Sequence, residues 1–182
     1  MRVTEHNPPS RFEPSHLEPV LFLAGPIQGA PDWQAEAMET ARNVWRTDTT
    51  LHVVNPRWIA KLGEFNKTDQ ITWEKEYLKR ASVLGGFVFF LAAESPDAPA
   101  PNKPGRSYAQ TTRHEFGRAV GWKDNDPSVV IALGMEDGYV GNEDYYIHTA
   151  DELGLTLHTT VDATVNAALE TIQDTYREVF CG

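Results

Sequence analysis

The chain has 182 residues, with 16 Lys and Arg against 26 Asp and Glu, and a formal charge of −10. This excess of carboxylates argues against a partner such as duplex nucleic acid, whose phosphates need neutralising. The longest apolar run, Val83 to Ala93, is shorter than the roughly 20 residues that cross a bilayer. We therefore expect no membrane partner. Because Cys181 is the only cysteine, we also expect a cytoplasmic protein without disulfides.

The first segment of the chain, residues 1–18, is polar and rich in proline. It shows no apolar period that would fix it against a core, so we predict a flexible N-terminal arm. The remaining segment, 19–182, contains no internal repeat and no long linker. It therefore predicts a single domain.

The first predicted elements of that domain are a strand and a helix. Val20 to Ala24 is a continuous apolar run that ends at Gly25-Pro26, as in a strand buried on both faces. Asp32 then provides an N-cap for a helix that begins with Trp33 and runs to about Arg46.

The middle of the chain repeats this order of strand and helix. Leu51 to Val54 predicts a second strand, which ends at Asn55-Pro56 because proline cannot donate to the ladder. A helix that begins at Asp69 or Thr72 leads into Gly86 to Leu91, the predicted central strand. The proline-rich stretch that follows is long for a passive connection, so we expect it to be functional.

The C-terminal part continues the alternation. A helix from Arg113 to about Trp122, preceded by Thr112, is followed by a strand from Ser128 to Leu133 and a loop over 135–152. A strand from Leu155 to His158 then leads into an amphipathic helix from Val161 to about Phe180, with Val179 on its apolar side. The whole pattern predicts an α/β protein with a parallel, five-stranded sheet covered by helices.

Ligands of open parallel sheets bind outside the carboxyl ends of the strands, so the residues after each apolar run are the informative ones. The loop after Ala24 lacks the glycine pattern of a dinucleotide site and the Gly-Lys-Ser/Thr of a phosphate-binding loop. We expect neither a cofactor nor a metal. The Gly25-Pro26 turn either brings backbone N–H groups near a ligand or is only a tight exit from the strand.

Two acidic residues have positions that suggest chemistry. Glu74 and Glu115 each fall in a helix that adjoins the central strand in sequence, and neighbouring carboxyls can divide the roles of nucleophile and proton donor. The alternative is that both are solvated surface residues. Trp33 is either a stacking surface or core, and Arg57 and Arg113 either clamp an anion or pair with nearby carboxylates.

Three segments together suggest a family. They are Phe22 to Pro26 at a strand end, Trp73-Glu74 in a helix before an apolar strand, and Glu115 to Ala119 near a helix start. In these segments, which fall within roughly Val20 to Leu133, the chain resembles the nucleoside 2-deoxyribosyltransferase-like family. The last segment is similar to the family's Glu-(Leu/Ile/Phe)-Gly-x-Ala motif. The resemblance implies a flavodoxin-like, three-layer fold and an enzyme that cleaves or transfers at the N-glycosidic bond of a (deoxy)nucleoside.

The resemblance also assigns roles. It makes Glu115 the nucleophile that forms a glycosyl ester at C1′ of the sugar, and Glu74 the acid that protonates the leaving base. The family's Asp six residues before the nucleophile falls at Ala109, so that carboxylate is missing. The predicted substrate-binding residues lie after the strands and at the start of a helix, and they are Gly25, Pro26, Gln28, Asp32, Trp33, Asn55, Arg57, Thr112 and Arg113.

Two alternatives to a nucleoside transferase stay open. The segment Pro26 to Pro31 lacks the serines and basic residues with which related hydrolases hold a 5′-phosphate, which favours a neutral nucleoside. Arg106, Ser107 and Arg113 nevertheless allow hydrolysis of a nucleoside 5′-monophosphate. The missing carboxylate at Ala109 allows a non-catalytic nucleoside- or nucleotide-binding module. By the same resemblance we expect a homo-oligomer, at least a dimer.

Overall fold

Short parallel strands form one sheet in this computed structural model. The structure describes residues 2–59, 62 and 64–180, except for the side chains of 179 and 180. In chain order the strands are β1 (Arg2–His6), β2 (Val20–Ala24), β3 (Thr50–Val54), β4 (Gly85–Leu91), β5 (Val130–Met135) and β6 (Leu157–His158). Their spatial order is β1-β3-β2-β4-β5-β6, and every neighbouring pair is parallel. The order from β3 to β6 is that of flavodoxin-like sheets.

A helix follows each described strand from β2 onward, and the helices cover both faces of the sheet. They are α1 (Trp33–Val44), α2 (Lys67–Ala81), α3 (Gln110–Asn125), α4 (Glu143–Leu153) and α5 (Val161–Phe180). Alternate side chains of β4 point to opposite faces: the Phe89 ring meets Phe116 of α3, and the Phe90 ring meets Trp33 of α1. The predicted α/β class with a helix-covered parallel sheet is confirmed.

The prediction of five strands is wrong, because β1 adds a sixth at the edge of the sheet. It lies in the segment that was predicted to be a flexible arm, and it pairs with β3 from Arg2↔Thr50 to His6↔Val54. An edge strand is partly solvated, so its sequence carries no continuous apolar run. The segment after β1 is also held, since the hydroxyl of Tyr77 accepts from the Phe12 N–H at 2.8 Å and donates to its carbonyl at 3.0 Å.

Several predicted element boundaries also change. The loop predicted over 135–152 contains most of α4, which buries Tyr146 against the Phe116 ring of α3. Helix α3 begins before Thr112, with Ala109 at its N-cap in a left-handed conformation (φ 53°). The predicted position of Val179 on the apolar side of α5 and the lone Cys181 lie outside the described side chains. None of the described helices is long and apolar enough to cross a membrane.

Candidate active site

The loops after β2 and β4 meet at the point where the strand order reverses, which is where open α/β sheets bind ligands. The Gly29 N–H donates to the Ala100 carbonyl at 2.6 Å, and the Ser95 N–H donates to the Gly29 carbonyl at 2.7 Å. Arg106 adds a side-chain bond, Nη1 to Oε1 of Gln28 at 2.8 Å. The proline-rich loop after β4 therefore folds onto the loop after β2.

Gly25, Pro26 and Trp33 build the floor of this junction. A Cβ on Gly25 would lie 2.3 Å from the Phe90 carbonyl oxygen and 2.6 Å from the Trp33 ring, so only glycine fits there. The Trp33 indole, 3% exposed, donates through Nε1 to the Pro26 carbonyl at 2.9 Å. The structure places this ring in the core, where it supports the turn from below.

Arg57 contacts both Asp32 and Asn55 next to this junction. Asp32 caps α1, as its spacing predicted, and pairs with Nε of Arg57 at 3.2 Å. The Arg57 guanidinium also donates to Oε1 of Gln34 at 2.8 Å, and the backbone N–H of Arg57 donates to Oδ1 of Asn55 at 3.1 Å. Burial lowers the pKa of Arg57, with Asp32 opposing that shift. These residues brace the loop after β3 against α1.

Glu115 lies in the N-terminal half of α3, at the carboxyl end of the sheet, and is 7% exposed. Burial raises the pKa of its carboxyl to about 8; the charge of Glu74 adds to this rise and that of Arg118 opposes it. Among the described residues none donates a hydrogen bond to this carboxyl. A carboxyl in such surroundings keeps its proton at neutral pH.

Glu74 lies half-buried on α2, and its charge reaches Glu115. Nε2 of Gln70 donates to Oε1 of Glu74 at 2.5 Å and also to the Pro56 carbonyl at 2.8 Å. Burial raises the pKa of Glu74, while the hydrogen bond from Gln70 and the charge of Arg106 oppose the rise. The charge of Glu74 raises the pKa of Glu115, so ionisation of one carboxyl favours retention of a proton on the other.

Thr112 and Arg113 lie in the first turn of α3, before Glu115 in the chain. Thr112 is 2% exposed. Arg113 donates through Nη2 to the Tyr108 carbonyl at 2.7 Å, while its Nε is buried without a partner among the described residues. The structure thus brings Glu74 and Glu115 together, whereas the charge of Arg113 acts on Tyr139 and Tyr146, and Asn55 and Arg57 are engaged with β1 and α1.

Gln70 is a residue of this region that the sequence patterns did not single out. Its position four residues before Glu74 puts the two on one helix face, but its contact with Pro56 depends on the fold. The described residues contain no group of three or more His, Cys, Asp or Glu side chains that could hold a metal ion. A cavity of about 590 Å³ lies at the other, amino edge of the sheet, beside Val20 and Leu84.

Comparison with known proteins gives no family for this chain. No family model matches its sequence, and no curated protein matches it. The resemblance to the nucleoside 2-deoxyribosyltransferase-like family therefore stays a prediction that rests on the motif residues. The fold class and the proximity of Glu74 to Glu115 are independent of that resemblance.

Proposed function

We propose that the protein is an enzyme that cleaves the N-glycosidic bond of a (deoxy)nucleoside, releasing the sugar to water or transferring it to a second base. One observation supports this most: Glu74 and Glu115 interact at the carboxyl edge of the sheet, in surroundings that raise the pKa of Glu115 to about 8. Two carboxyls of different proton affinity provide the nucleophile and the proton donor that glycosidic cleavage uses.

In the proposed reaction an oxygen of Glu115 forms a bond to C1′ of the sugar as the bond from C1′ to the base nitrogen breaks. Glu74 gives its proton to that nitrogen, so the base leaves neutral. Water or a second base then attacks C1′ and releases the Glu115 carboxylate. Glu74 accepts the proton that the attacking group loses, which restores the anionic Glu115 and protonated Glu74 with which the reaction begins.

The shared proton has to change places for this reaction. The free protein holds it on Glu115, whereas the reaction needs an anionic Glu115 and a protonated Glu74. Cleavage passes through an oxocarbenium-like state, and positive charge at C1′ favours the anion of Glu115 beside it. Because one proton must be present in the pair, we expect a bell-shaped pH profile of kcat/KM.

The test is to incubate the wild-type protein and Glu115→Gln with deoxynucleosides and their 5′-monophosphates, with and without a second free base, and to follow the bases chromatographically. Exchange of bases that is lost in Glu115→Gln supports a transferase. Release without exchange, lost in the same variant, supports a hydrolase. Binding without turnover of any substrate would contradict the proposal and favour a non-catalytic binding module.

A second candidate, hydrolysis of nucleoside 5′-monophosphates, is favoured by Arg106. This residue is exposed, and its guanidinium donates to Gln28 at 2.8 Å and to Oγ1 of Thr111 at 2.9 Å. It therefore places a positive charge close to the first turn of α3, where a phosphate would be favoured. The same panel separates the candidates, since only this one requires the phosphate. Light scattering of the purified chain tests the proposed homo-oligomer.

A further inference from the structure

Gln70 connects three parts of the proposed site. Its Nε2 donates to Oε1 of Glu74 at 2.5 Å and to the carbonyl of Pro56 at 2.8 Å. Glu74 is one turn further along α2, while Pro56 belongs to the loop after β3. The helix turn that carries Gln70 is fixed at its start, because the Asn66 side chain accepts from the Thr68 N–H at 2.9 Å. The Gln70 amide thus joins the helix, the acid and the loop.

The amide oxygen of Gln70 has no hydrogen-bond partner in the described part of the chain. It is buried, and no described residue donates a hydrogen bond to it. Turning the amide over would not help, because its oxygen would then face the Glu74 carboxylate and the Pro56 carbonyl, both of which are acceptors. The two acceptors therefore fix the orientation of the amide, and its oxygen remains a buried acceptor to which no described residue donates.

We propose that Gln70 is a positioning residue of this site, which holds the Glu74 carboxyl against the loop after β3 and offers its free amide oxygen to an N–H or O–H donor of the substrate. The substrate contact rests on the proposed function. The positioning of Glu74 does not rest on the proposed function, because both hydrogen bonds that the Gln70 amide donates exist in the free protein. Nucleosides carry such donors on the sugar and on the base.

The groups that face Glu74 from neighbouring elements determine what loss of the amide does. Glu115 faces it from α3 and Arg106 from the loop after β4. Arg106 and the Gln70 amide favour the charged carboxylate, whereas burial and a charged Glu115 oppose it. Removing the amide weakens only the interactions that favour the charged carboxylate, so the pKa of Glu74 should rise.

A ¹³C NMR titration of the Glu74 carboxyl in the full chain tests the hold on Glu74. Gln70→Leu should raise the midpoint by about half a pH unit or more, and Gln70→Glu should raise it further because it adds a third carboxylate. Thr72→Ala is the matched control, since Thr72 is on the same helix and its hydroxyl donates to the Thr68 carbonyl at 2.9 Å, away from Glu74 in the hydrogen bonds of the described residues. It should titrate like the wild type.

An unchanged Glu74 midpoint in a folded Gln70→Leu protein would overturn the proposal. If Gln70→Leu does not fold, Gln70→Glu provides the same comparison, and an unchanged midpoint there has the same meaning. The titration needs no turnover, so failure of the proposed function leaves it valid. With an active enzyme, Gln70→Leu should raise KM about tenfold and move the acid limb of the kcat/KM profile to higher pH. An unchanged KM would overturn the substrate contact.

Discussion

Two pairs of like titratable side chains, His6 with His52 and Glu74 with Glu115, are packed into this molecule in different ways. Nε2 of His6 lies 2.9 Å from Nδ1 of His52, within hydrogen-bond distance, and the other nitrogen of His52 lies 3.4 Å from the Glu18 carboxylate. The histidines thus partner each other between β1 and β3. The glutamates repel each other between α2 and α3, and no described residue donates to the Glu115 carboxyl.

Burial alone therefore does not identify a reactive pair of titratable side chains. One neutral imidazole can accept what the other donates, so a histidine pair can be complete without any ligand. The Phe12 ring stacks on the His6 ring, with 3.5 Å between the ring centroids, and packs against the histidine pair. Two carboxyls are stable together only with a proton or a positive charge between them, which the transition state of glycosidic cleavage would supply.

The largest expected effect comes from breaking the carboxyl pair. Glu115→Gln keeps the shape of the side chain but removes the nucleophile, so base release should fall at least about a thousandfold. Asp124→Asn, which removes an exposed carboxylate from the same helix, should retain wild-type rates. Initial rates measured chromatographically decide this, and a loss of less than tenfold in Glu115→Gln would rule out its role as nucleophile.

The same pair should give stability an unusual pH dependence. Since folding raises the pKa of Glu115 from 4.5 to about 8, the native state binds the proton more tightly than the unfolded chain. Its contribution to the free energy of unfolding is complete below pH 4.5 and is lost as the pH rises through 8, by about a few kcal/mol. Urea unfolding of wild type and Glu115→Gln across this range measures the difference, and parallel pH curves would contradict the account.

The histidine pair should show the opposite slope. Burial, followed by the charge of His52, lowers the pKa of His6 from 6.5 to about 4. Its contribution is present above pH 6.5 and is lost as the pH falls through 4, by about 1 kcal/mol since His6 is partly solvated. His6→Phe keeps an aromatic ring against Phe12 and should lose this slope between pH 6.5 and 4 in urea unfolding. His148→Phe, at an exposed site on α4, should keep it.

The smallest expected effect concerns the choice of substrate. Arg106→Gln removes an exposed charge beside the carboxyl pair, so KM for a nucleoside 5′-monophosphate should rise about fivefold if the phosphate is recognised there. KM for the unphosphorylated nucleoside should change less. Lys103→Gln, an exposed position in the same loop, is the matched control. Equal changes for both substrates would exclude a phosphate contact at Arg106.

The fold was predictable where burial dominates the sequence pattern. The apolar runs of β2, β4 and β5 and the amphipathic α5 all lie near their predicted positions. Strand β1 was missed because only one of its edges is paired, so polar side chains such as Arg2 and Glu5 are tolerated. Helix α4 was missed because it buries few residues, chiefly Tyr146, Thr149 and Ala150.

The candidate site was predictable to the extent that topology decides it. Glu74 and Glu115 precede and follow the central strand, so a parallel sheet carries both to its carboxyl edge. The partners of the neighbouring residues were not predictable. Arg57 is engaged by Asp32 at 3.2 Å, and Gln70 gains its role from a carbonyl that is distant in sequence. Such contacts depend on loop geometry, which residue type and spacing do not encode.

Covalent glycosylation of Glu115 is the most direct test of its proposed role as the nucleophile. The protein would be incubated with a 2′-fluorinated nucleoside, whose fluorine slows hydrolysis of a glycosyl ester by destabilising the oxocarbenium-like state, and then analysed by mass spectrometry of the intact chain and its peptides. If Glu115 is the nucleophile, the peptide that contains it gains the mass of one fluorinated sugar. Release of the base without an adduct on Glu115, or an adduct on another residue, would contradict that role.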